Sequence, residues 1–339
     1  MDKIERKHRR TVLLMGAALV LCVLGSFALG RYPVSLRELL GVLGYRMGLP
    51  IKSFWTSSVE AAVWNIRLPR VILSVLVGAC LAAAGGAYQG VFQNPMASPD
   101  ILGASAGAGF GAALAILLGA SSMGITIGAF AASLLTVALV FNVSRHARGD
   151  RVLGLVLAGI MISSLFQSGT SFLKLVADPN NQLPQITYWL MGSLSGAKWS
   201  DIGFVLIPML SGLVPLLLLR WQLNVITMGD DEARAMGVDP RKIRLWIAVT
   251  STLVTASAVS VSGMIGWVGL VIPHMMRRLV GSDYRFLMPA SMLGGGIFLL
   301  IVDNVSRAVA GIPIGILTAF IGAPFFLWLI TGKGDHYAH

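Results

Sequence analysis

The amino-acid sequence predicts an all-α integral membrane protein with about ten transmembrane helices. Of its 339 residues, 55% are hydrophobic and only 12% are charged, whereas soluble globular chains carry about 25% charged residues. The apolar residues also gather into runs of about 20, the length that an α-helix needs to cross a bilayer. Most of the chain must therefore face lipid or other buried helices, and we predict one polytopic domain over residues 1–339.

Ten apolar runs account for the predicted spans. The first is longer than the roughly 7–15-residue core of a secretory signal, so we predict an uncleaved helix. The third contains GASAGAGFGAA, whose small residues allow helices to approach closely in lipid. The eighth is short and reaches Pro273-His274, where we predict that it breaks or crosses only part of the bilayer. The spans are 11–30, 68–90, 101–120, 123–143, 152–174, 202–220, 243–263, 267–280, 287–308 and 313–331.

The positive charge of the chain indicates its topology rather than a nucleic-acid partner. The net charge is +11, but the Lys and Arg residues form short clusters between apolar runs and no continuous face. With the N-terminus inside, 17 of them fall on inner segments and nine on outer ones, and six of those nine lie within residues 31–70. This bias predicts that both termini are cytoplasmic.

A polar turn interrupts the apolar sequence between the second and third spans, at GVFQNPMASPDILGAS (90–105). Its prolines lack a backbone N–H and disfavour helix before them. Ser98 is predicted to cap the third helix, with Pro99 at its first position and Asp100 in its first turn. The residues of this cytoplasmic turn motif are Gln93, Asn94, Pro95, Pro99 and Asp100.

The longest cytoplasmic loop, residues 221–242, contains a short predicted helix. Gly229, Ala233 and Gly237 recur every four residues and would form one small-residue face that allows another surface to come close. Asp230, Asp231 and Glu232 fall in the first turn, where the helix dipole favours acids, and Gly237 suits a helix end. From the spacing alone, an ordinary solvated loop helix and a docking element both remain open.

The fifth span carries a polar face. Ser164, Gln167, Ser168 and Ser171 follow the i, i+3, i+4, i+7 spacing of one side of a helix. A polar stripe at membrane depth must face protein or water. Hydrogen bonding between helices and the lining of a transport path are both compatible with it.

Ionisable side chains near the spans allow further interpretations. Arg67 and Arg70 flank a Leu-Pro pair at the outer end of the second span, where arginines also anchor helices to headgroups. Asp303 lies deepest in a span, one helical turn before Arg307, and is the candidate for an ion-coupling role. His274 has no second ligand nearby, so no metal site is predicted.

Five stretches of this sequence resemble the membrane subunits of ABC importers for iron-siderophores, heme and vitamin B12. Together they cover nearly the whole chain in family order. The resemblance implies ten transmembrane helices per subunit and a dimer, most simply of two identical copies. It also implies two cytoplasmic ATPase subunits and a periplasmic or lipid-anchored binding protein. The stretches are NIRLPRVILSVLVGACLAAAGGAYQGVFQNPMASPDILGASAGAGFGA (65–112), YWLMGSLSGAKWSD (188–201), MGDDEARAMGVDPRKIR (228–244), GMIGWVGLVIPHMMRRLVGSDYRFLMPAS (263–291) and IPIGILTAFIGAPFFLWLI (312–330).

The resemblance implies roles for three groups of residues. The loop helix becomes the coupling helix that seats in a groove on the ATPase. The outward arginines Arg67, Arg70 and Arg307 receive acidic residues of the binding protein, and the fifth span lies at the dimer axis, where its polar face lines the path. The coupling residues are Gly229, Asp230, Asp231, Glu232, Ala233, Arg234, Ala235, Met236 and Gly237.

The expected function is therefore that of a permease subunit without catalytic chemistry of its own. The chain lacks the GxxxxGK[ST] loop that cradles ATP phosphates, so ATP and Mg²⁺ are expected on partner subunits and no cofactor on this chain. The expected cargo is a ferric siderophore, heme or corrinoid. Molybdate or tungstate import by the same architecture is one alternative. The other is an ion-coupled secondary transporter, which would need an ionisable site near the midplane, with Asp303 as the nearest candidate.

Overall fold

A computed structural model describes residues 3–29, 34–146, 151–309 and 311–331, and the regular structure in these ranges is entirely helical. A π-helical turn, Ala61–Arg67, leads into α4, and a 3₁₀ turn, Pro99–Leu102, precedes α5. The α-helices are α1 Lys3–Ala28, α2 Leu36–Arg46, α3 Ser57–Glu60, α4 Leu68–Val91, α5 Ala104–Leu117, α6 Ser122–Arg145, α7 Arg151–Val176, α8 Gln182–Leu190, α9 Trp199–Leu218, α10 Arg220–Ile226, α11 Asp230–Ala235, α12 Pro240–Ser262, α13 Val268–Val280, α14 Tyr284–Ala308 and α15 Ile314–Thr331.

The all-helical membrane architecture is confirmed, although the count of ten spans is not. Within the described ranges, seven helices are long and apolar enough to cross a bilayer, and two shorter apolar helices, Ala104–Leu117 and Ile314–Phe325, accompany them. The helix predicted at 68–90 is part of a longer segment, Ser57–Val91, of 35 residues. Residue 30, at the end of the first predicted span, and residues 147–150 and 333, which carry part of the predicted inner charge, lie outside the described residues.

The central helix α4 contacts its neighbours backbone to backbone. A Cβ added at Gly78 would lie 2.2 Å from the carbonyl oxygen of Gly295 on α14, and one added at Gly85 would lie 1.8 Å from the carbonyl oxygen of Gly269 on α13. Lipid tails are as apolar as leucine, so spanning helices associate through such close packing rather than through burial of apolar surface from water. Glycine at these positions therefore sets the distance of α4 from α13 and α14.

The glycine-rich third span is likewise a packing element, as predicted. Helix α5 is buried along most of its length, and a Cβ at Gly111 would lie 2.2 Å from the carbonyl oxygen of Gly128 on α6. The helix is 14 residues long rather than the 20 predicted, because the 3₁₀ turn and Gly103 occupy the first three residues of that run and a turn occupies the last three, 118–120.

The predicted break of the eighth helix at Pro273-His274 is wrong. Helix α13 is short, with 13 residues, but it continues through Pro273. Proline removes the hydrogen bond to the carbonyl four residues earlier, which here is Gly269. Gln89 of α4 supplies that bond instead, because its side-chain amide lies 3.4 Å from the Gly269 oxygen and 3.3 Å from the Leu270 oxygen.

Contacts between distant segments define two ends of the helix bundle. At one end, the ring of His8 packs edge-on against Phe286 at 5.6 Å, and Asn224 Nδ2 donates to Asp283 Oδ1 at 2.7 Å. At the other end, Trp199 Nε1 donates to the backbone oxygen of Trp64 at 3.0 Å. The first end thus gathers α10 with the start of α1 and of α14, segments that the charge bias places on one side of the membrane.

We predict that Gly78→Ala destabilises the protein and that Gly203→Ala does not. The new methyl group at position 78 meets the α14 backbone, and overpacking of this kind costs about 1–3 kcal/mol. Gly203 lies exposed on α9 with no heavy atom within 4 Å of an added Cβ, so alanine there only improves helix propensity. Thermal unfolding of both variants in detergent provides the measurement, and equal midpoints would contradict the proposed role of the glycine contact.

Candidate functional site

A bidentate ion pair between Asp230 and Arg244 attaches helix α11 to α12. Arg244 of α12 donates from Nη1 to Asp230 Oδ2 at 3.0 Å and from Nη2 to Asp230 Oδ1 at 2.6 Å. The hydrogen bonds from Arg244 lower the pKa of Asp230, although partial burial acts in the opposite direction. A lowered pKa stabilises the attached state above the usual Asp value of about 4, and this stabilisation is lost as the pH falls through the folded-state pKa.

The three small residues that were predicted to share one face of the loop helix have different environments. Helix α11 has only six residues, and Ala233 within it is fully buried in a core with Leu223 and Val238. Gly229 and Gly237 flank this helix, and Gly237 is exposed, with no heavy atom within 4 Å of an added Cβ. The single small-residue face is therefore not formed, whereas the docking role of the loop stays a prediction. The outer surface of the loop is formed by the exposed residues Met228, Asp231, Glu232, Arg234, Ala235, Met236 and Gly237.

Both predicted features of the ends of this helix are confirmed. Asp230, Asp231 and Glu232 occupy its first turn. Gly237 follows it with a φ of +77°, a conformation that favours glycine. Its N–H bonds to the oxygen of Arg234 at 3.0 Å, and the N–H of Val238 bonds to the oxygen of Ala233 at 2.9 Å.

The polar turn after α4 holds α10 and caps α5. Gln93 has a φ of +47°, unusual for a side chain other than glycine, and its Nε2 donates to the oxygen of Ile226 at 3.1 Å. Ser98 caps the 3₁₀ turn that begins at Pro99, not the third helix as predicted. The N-cap residue of α5 is Gly103, and Asp100 Oδ1 accepts from the N–H of Ser105 in the first turn at 2.9 Å. Of the other motif residues, Asn94 accepts from Met96 N at 2.8 Å and Pro95 is exposed.

A concavity of about 310 Å³ brings this turn together with the polar face of α7. Asp100 lies in its wall with Ser164 and Gln167, two residues that the sequence analysis assigned to a path. Ser168 and Ser171 are exposed on α7 but do not line it. The remaining lining residues, which sequence reasoning missed, are Ile101, Gly103, Ala106, Ile160, Ser163 and Met264.

Two hydroxyl groups of the polar face are bonded within α7. Ser164 donates to the oxygen of Ile160 at 2.9 Å, and Ser171 donates to the oxygen of Gln167 at 3.0 Å. These serines therefore do not use their hydrogens to tie α7 to a neighbouring helix. Only 11% of the most apolar stretch of α7 is buried within this chain. The polar face of α7 therefore remains on the surface of the subunit.

A second concavity of about 600 Å³ continues along α15, and Met264 lines both. Its wall is almost wholly apolar. The lining residues are Leu190, Met191, Met264, Gly315, Ile316, Ala319, Phe320, Ala323 and Pro324. The two concavities therefore adjoin at Met264, and together they make up the groove: the part near Asp100 is partly polar, and the part near Phe320 is apolar.

The arginines predicted to face a docking partner are turned inward in this structure. Arg70 Nε lies 2.8 Å from Asp303 Oδ1, and Arg307 Nε lies 3.3 Å from Asp303 Oδ2. The side chains of Arg70 and Arg307 are 12% and 10% exposed, and that of Asp303 is fully buried. Arg67, also buried, donates to the backbone oxygen of Phe27. The expectation of three outward charges is wrong here, because a buried carboxylate and α1 hold the guanidinium groups.

The same cluster bears on two alternative interpretations. Asp303 is the partner of Arg307, as the spacing of one helical turn allowed. Its carboxylate is bound to two arginines and lines neither of the two concavities, so its position does not favour an ion-coupling role in a path there. His274 is buried on α13, where its ring lies edge-on to Phe325.

Comparison with known proteins identifies the family. Residues 18–332 match the FecCD transport family. The chain belongs to the FecCD family. A solved metal-chelate type ABC transporter in an inward-facing conformation is 37% identical and superposes with a TM-score of 0.84, over 95% of this chain and 99% of that one.

Three relatives in the FecCD family illustrate the range of named cargoes. The molybdate import system permease protein of Haemophilus influenzae is 38% identical over 93% of this chain and 94% of its own length. The hemin transport system permease protein of Yersinia pestis is 38% identical over 95% of this chain and 96% of its own length. The cobalamin import system permease protein of Halobacterium salinarum is 40% identical over 84% of this chain and 77% of its own length. This chain is accordingly a permease subunit of an ABC importer, and ATP hydrolysis in this family takes place on separate subunits.

We predict that Asp230→Ala loosens α11 and that Asp231→Ala does not. The first substitution removes the carboxylate that holds Arg244, whereas the Asp231 side chain is 93% exposed and pairs with Arg234 on the same helix. Exposed pairs of this kind contribute about 0–1 kcal/mol. Amide hydrogen exchange over residues 228–238 should be several-fold faster in Asp230→Ala alone. Equal exchange in both variants would show that the Arg244 contact does not hold the helix.

Proposed function

We propose that this chain forms, with a second copy of itself, the channel of an ATP-driven importer of an organic metal chelate. The observation that carries the proposal is the groove that runs from Asp100 and Gln167 past Met264 to Phe320. It lies open on one side of a subunit whose helices otherwise pack closely. A ferric siderophore, heme or corrinoid is the cargo that this groove fits best.

A second copy would give the exposed face of α7 a protein surface to oppose. Gln167 and Ser168 are exposed on a spanning helix, and polar side chains at membrane depth face protein or water rather than lipid. Apposing two α7 helices would close the two half-grooves around one central path. Transport by alternating access would then open this path to each side of the membrane in turn.

The lining of the groove favours an organic chelate over a small oxyanion. Among the described residues that line the two concavities, Asp100 is the one charged side chain, so no cationic side chain there could hold a small oxyanion. Molybdate or tungstate would need cationic or multiple N–H donors, as charge-assisted recognition of oxyanions requires. A wide apolar wall instead suits a large ring or chelate with weak contacts, which lets the cargo leave as well as enter.

Coupling to the ATPase would run through α11. Its outer surface, with Asp231, Glu232 and Met236, would seat in a groove of the ATPase subunit, and Arg244 would transmit the movement to α12. Helix α10 joins the same unit, because Gln93 holds Ile226 and Asn224 holds Asp283. The turn that begins at Gln93 ends at Asp100, which lies in the wall of the groove. This turn would therefore link α10, at the end that docks the ATPase, to the transport path.

The remaining components follow from this arrangement. ATP and Mg²⁺ would bind the two ATPase subunits, and this chain would hold no cofactor. The end that carries α10 and α11 would face the cytoplasm with both termini, in a bacterial or archaeal inner membrane. A periplasmic or lipid-anchored binding protein would deliver cargo at the opposite end. Release of Arg67, Arg70 and Arg307 from Asp303 and α1 would be needed before they could receive its carboxylates.

Reconstitution with the ATPase subunits and the binding protein tests the function. Proteoliposomes are supplied in parallel with a ferric siderophore, hemin, cobalamin and molybdate. We expect ATP-dependent uptake of one organic chelate. Uptake of molybdate alone would contradict the cargo class. Uptake driven by an ion gradient without the ATPase would contradict the whole proposal.

A paired substitution on α7 tests the path separately. Gln167→Trp should block uptake by filling the groove, while leaving copurification of the ATPase subunits unchanged. Leu165→Trp is the matched control, because Leu165 is 64% exposed on a different side of the same helix. Undiminished uptake by Gln167→Trp would remove this face of α7 from the path.

A further inference from the structure

The first two turns of α1 carry a concentrated positive charge. Residues 3–10, KIERKHRR, contain five Lys and Arg residues and one acid. The five cationic side chains are all exposed. These turns belong to the same unbroken helix as the apolar segment that follows, Lys3–Ala28. The charges are therefore held at a fixed position beside the membrane span rather than on a loose tail.

Four of the five cations occupy the side of α1 that faces away from the protein. At 100° per residue, Lys3, Arg6, Lys7 and Arg10 fall on one face. His8, Val12 and Met15 fall on the opposite face, where His8 packs on Phe286 while Val12 and Met15 pack against the main core. Glu5 lies toward the protein side as well. No acid within residues 3–10 shares the cationic face.

The same face continues into the bilayer as an apolar stripe. Leu14 and Leu21 extend the line of Lys7 and Arg10 along α1, and they are 60% and 69% exposed. The cationic side chains thus stand directly above side chains that face lipid tails, which is the depth of the headgroups. Basic residues in the first turn of a helix also oppose its dipole, so helix stability does not account for them.

Two further arginines widen the positive surface beside this face. His8 lies against Phe286 and near Gly281, and the adjoining residues Arg278 and Arg285 are exposed. Arg285 pairs with Asp283 at 2.7 Å and is also attracted by the charge of Glu5. The acids on these segments thus lie beside Arg285, away from the outer face of α1.

We propose that the outer face of residues 3–10 binds the phosphodiester headgroups of anionic phospholipids. The partner is a lipid rather than a protein or a soluble polyanion, because the cationic and lipid-facing residues form one continuous stripe. Basic clusters immediately beside a membrane span attract anionic lipids electrostatically. This inference does not depend on the proposed cargo or on the coupling role of α11.

Spin-labelled lipids measure the interaction directly. The full-length chain is reconstituted in phosphatidylcholine with spin-labelled phosphatidylglycerol or spin-labelled phosphatidylcholine, and the motionally restricted fraction of each label is recorded. We expect a several-fold preference for phosphatidylglycerol at low salt that weakens at high salt, as screening requires. Equal fractions of the two labels at low salt would overturn the proposal.

Three variants attribute the preference to this face. The triple variant Arg6→Gln, Lys7→Gln, Arg10→Gln should lose the preference for phosphatidylglycerol. A matched variant at other positions, Arg37→Gln, Lys52→Gln, Lys174→Gln, should keep it, as should the charge-conserving pair Arg6→Lys, Arg10→Lys. A triple variant that keeps the lipid preference but loses copurifying ATPase subunit would assign the cations to a protein partner and overturn the proposal.

Discussion

The close contact of glycine backbones around α4 is the interaction on which the rest of the structure depends. In lipid there is no gain from hiding one apolar helix against another, so packing distance determines which helices associate. Gly78 and Gly85 bring α4 against α14 and α13 at distances that any side chain would prevent. That approach also places the Gln89 amide where it can bond the Gly269 carbonyl that Pro273 leaves free. Arg277 donates to the other polar atom of this side chain, Gln89 Oε1.

A closely packed group of α4, α13 and α14 implies that the movable parts lie elsewhere. At the end of this group near α10, the Tyr284 hydroxyl of α14 donates to the backbone oxygen of Gly86 on α4 at 3.0 Å. Its other end is closed by the ion pairs of Asp303. Helix α7, by contrast, is largely unburied within the subunit. In the proposed mechanism, the first group would be the frame of the permease, against which α7 and the turn at Gln93–Asp100 would move.

The sequence was sufficient to predict the features that depend on local composition. Apolar run length predicted the spanning helices, and the acids and Gly237 predicted both ends of α11. The misassigned features depend on residues far away in the chain. The continuity of α13 through Pro273 needs Gln89 from another helix, and the direction of Ala233 depends on where α11 packs. The inward turn of Arg70 requires Asp303, 233 residues later, and no spacing rule connects the two. Helices α2 and α8 were missed because both are shorter than a bilayer span.

The central claim is that the turn between α4 and α5 conveys movement from α10 to the transport path. The most direct measurement is the amount of cargo imported per ATP hydrolysed by the reconstituted complex carrying Gln93→Ala, which removes the bond to Ile226. Met96→Ala, in the same turn and 48% exposed, is the control. The account predicts that ATP hydrolysis continues in Gln93→Ala while import per ATP falls, with Met96→Ala unchanged. An unaltered ratio in Gln93→Ala would contradict it.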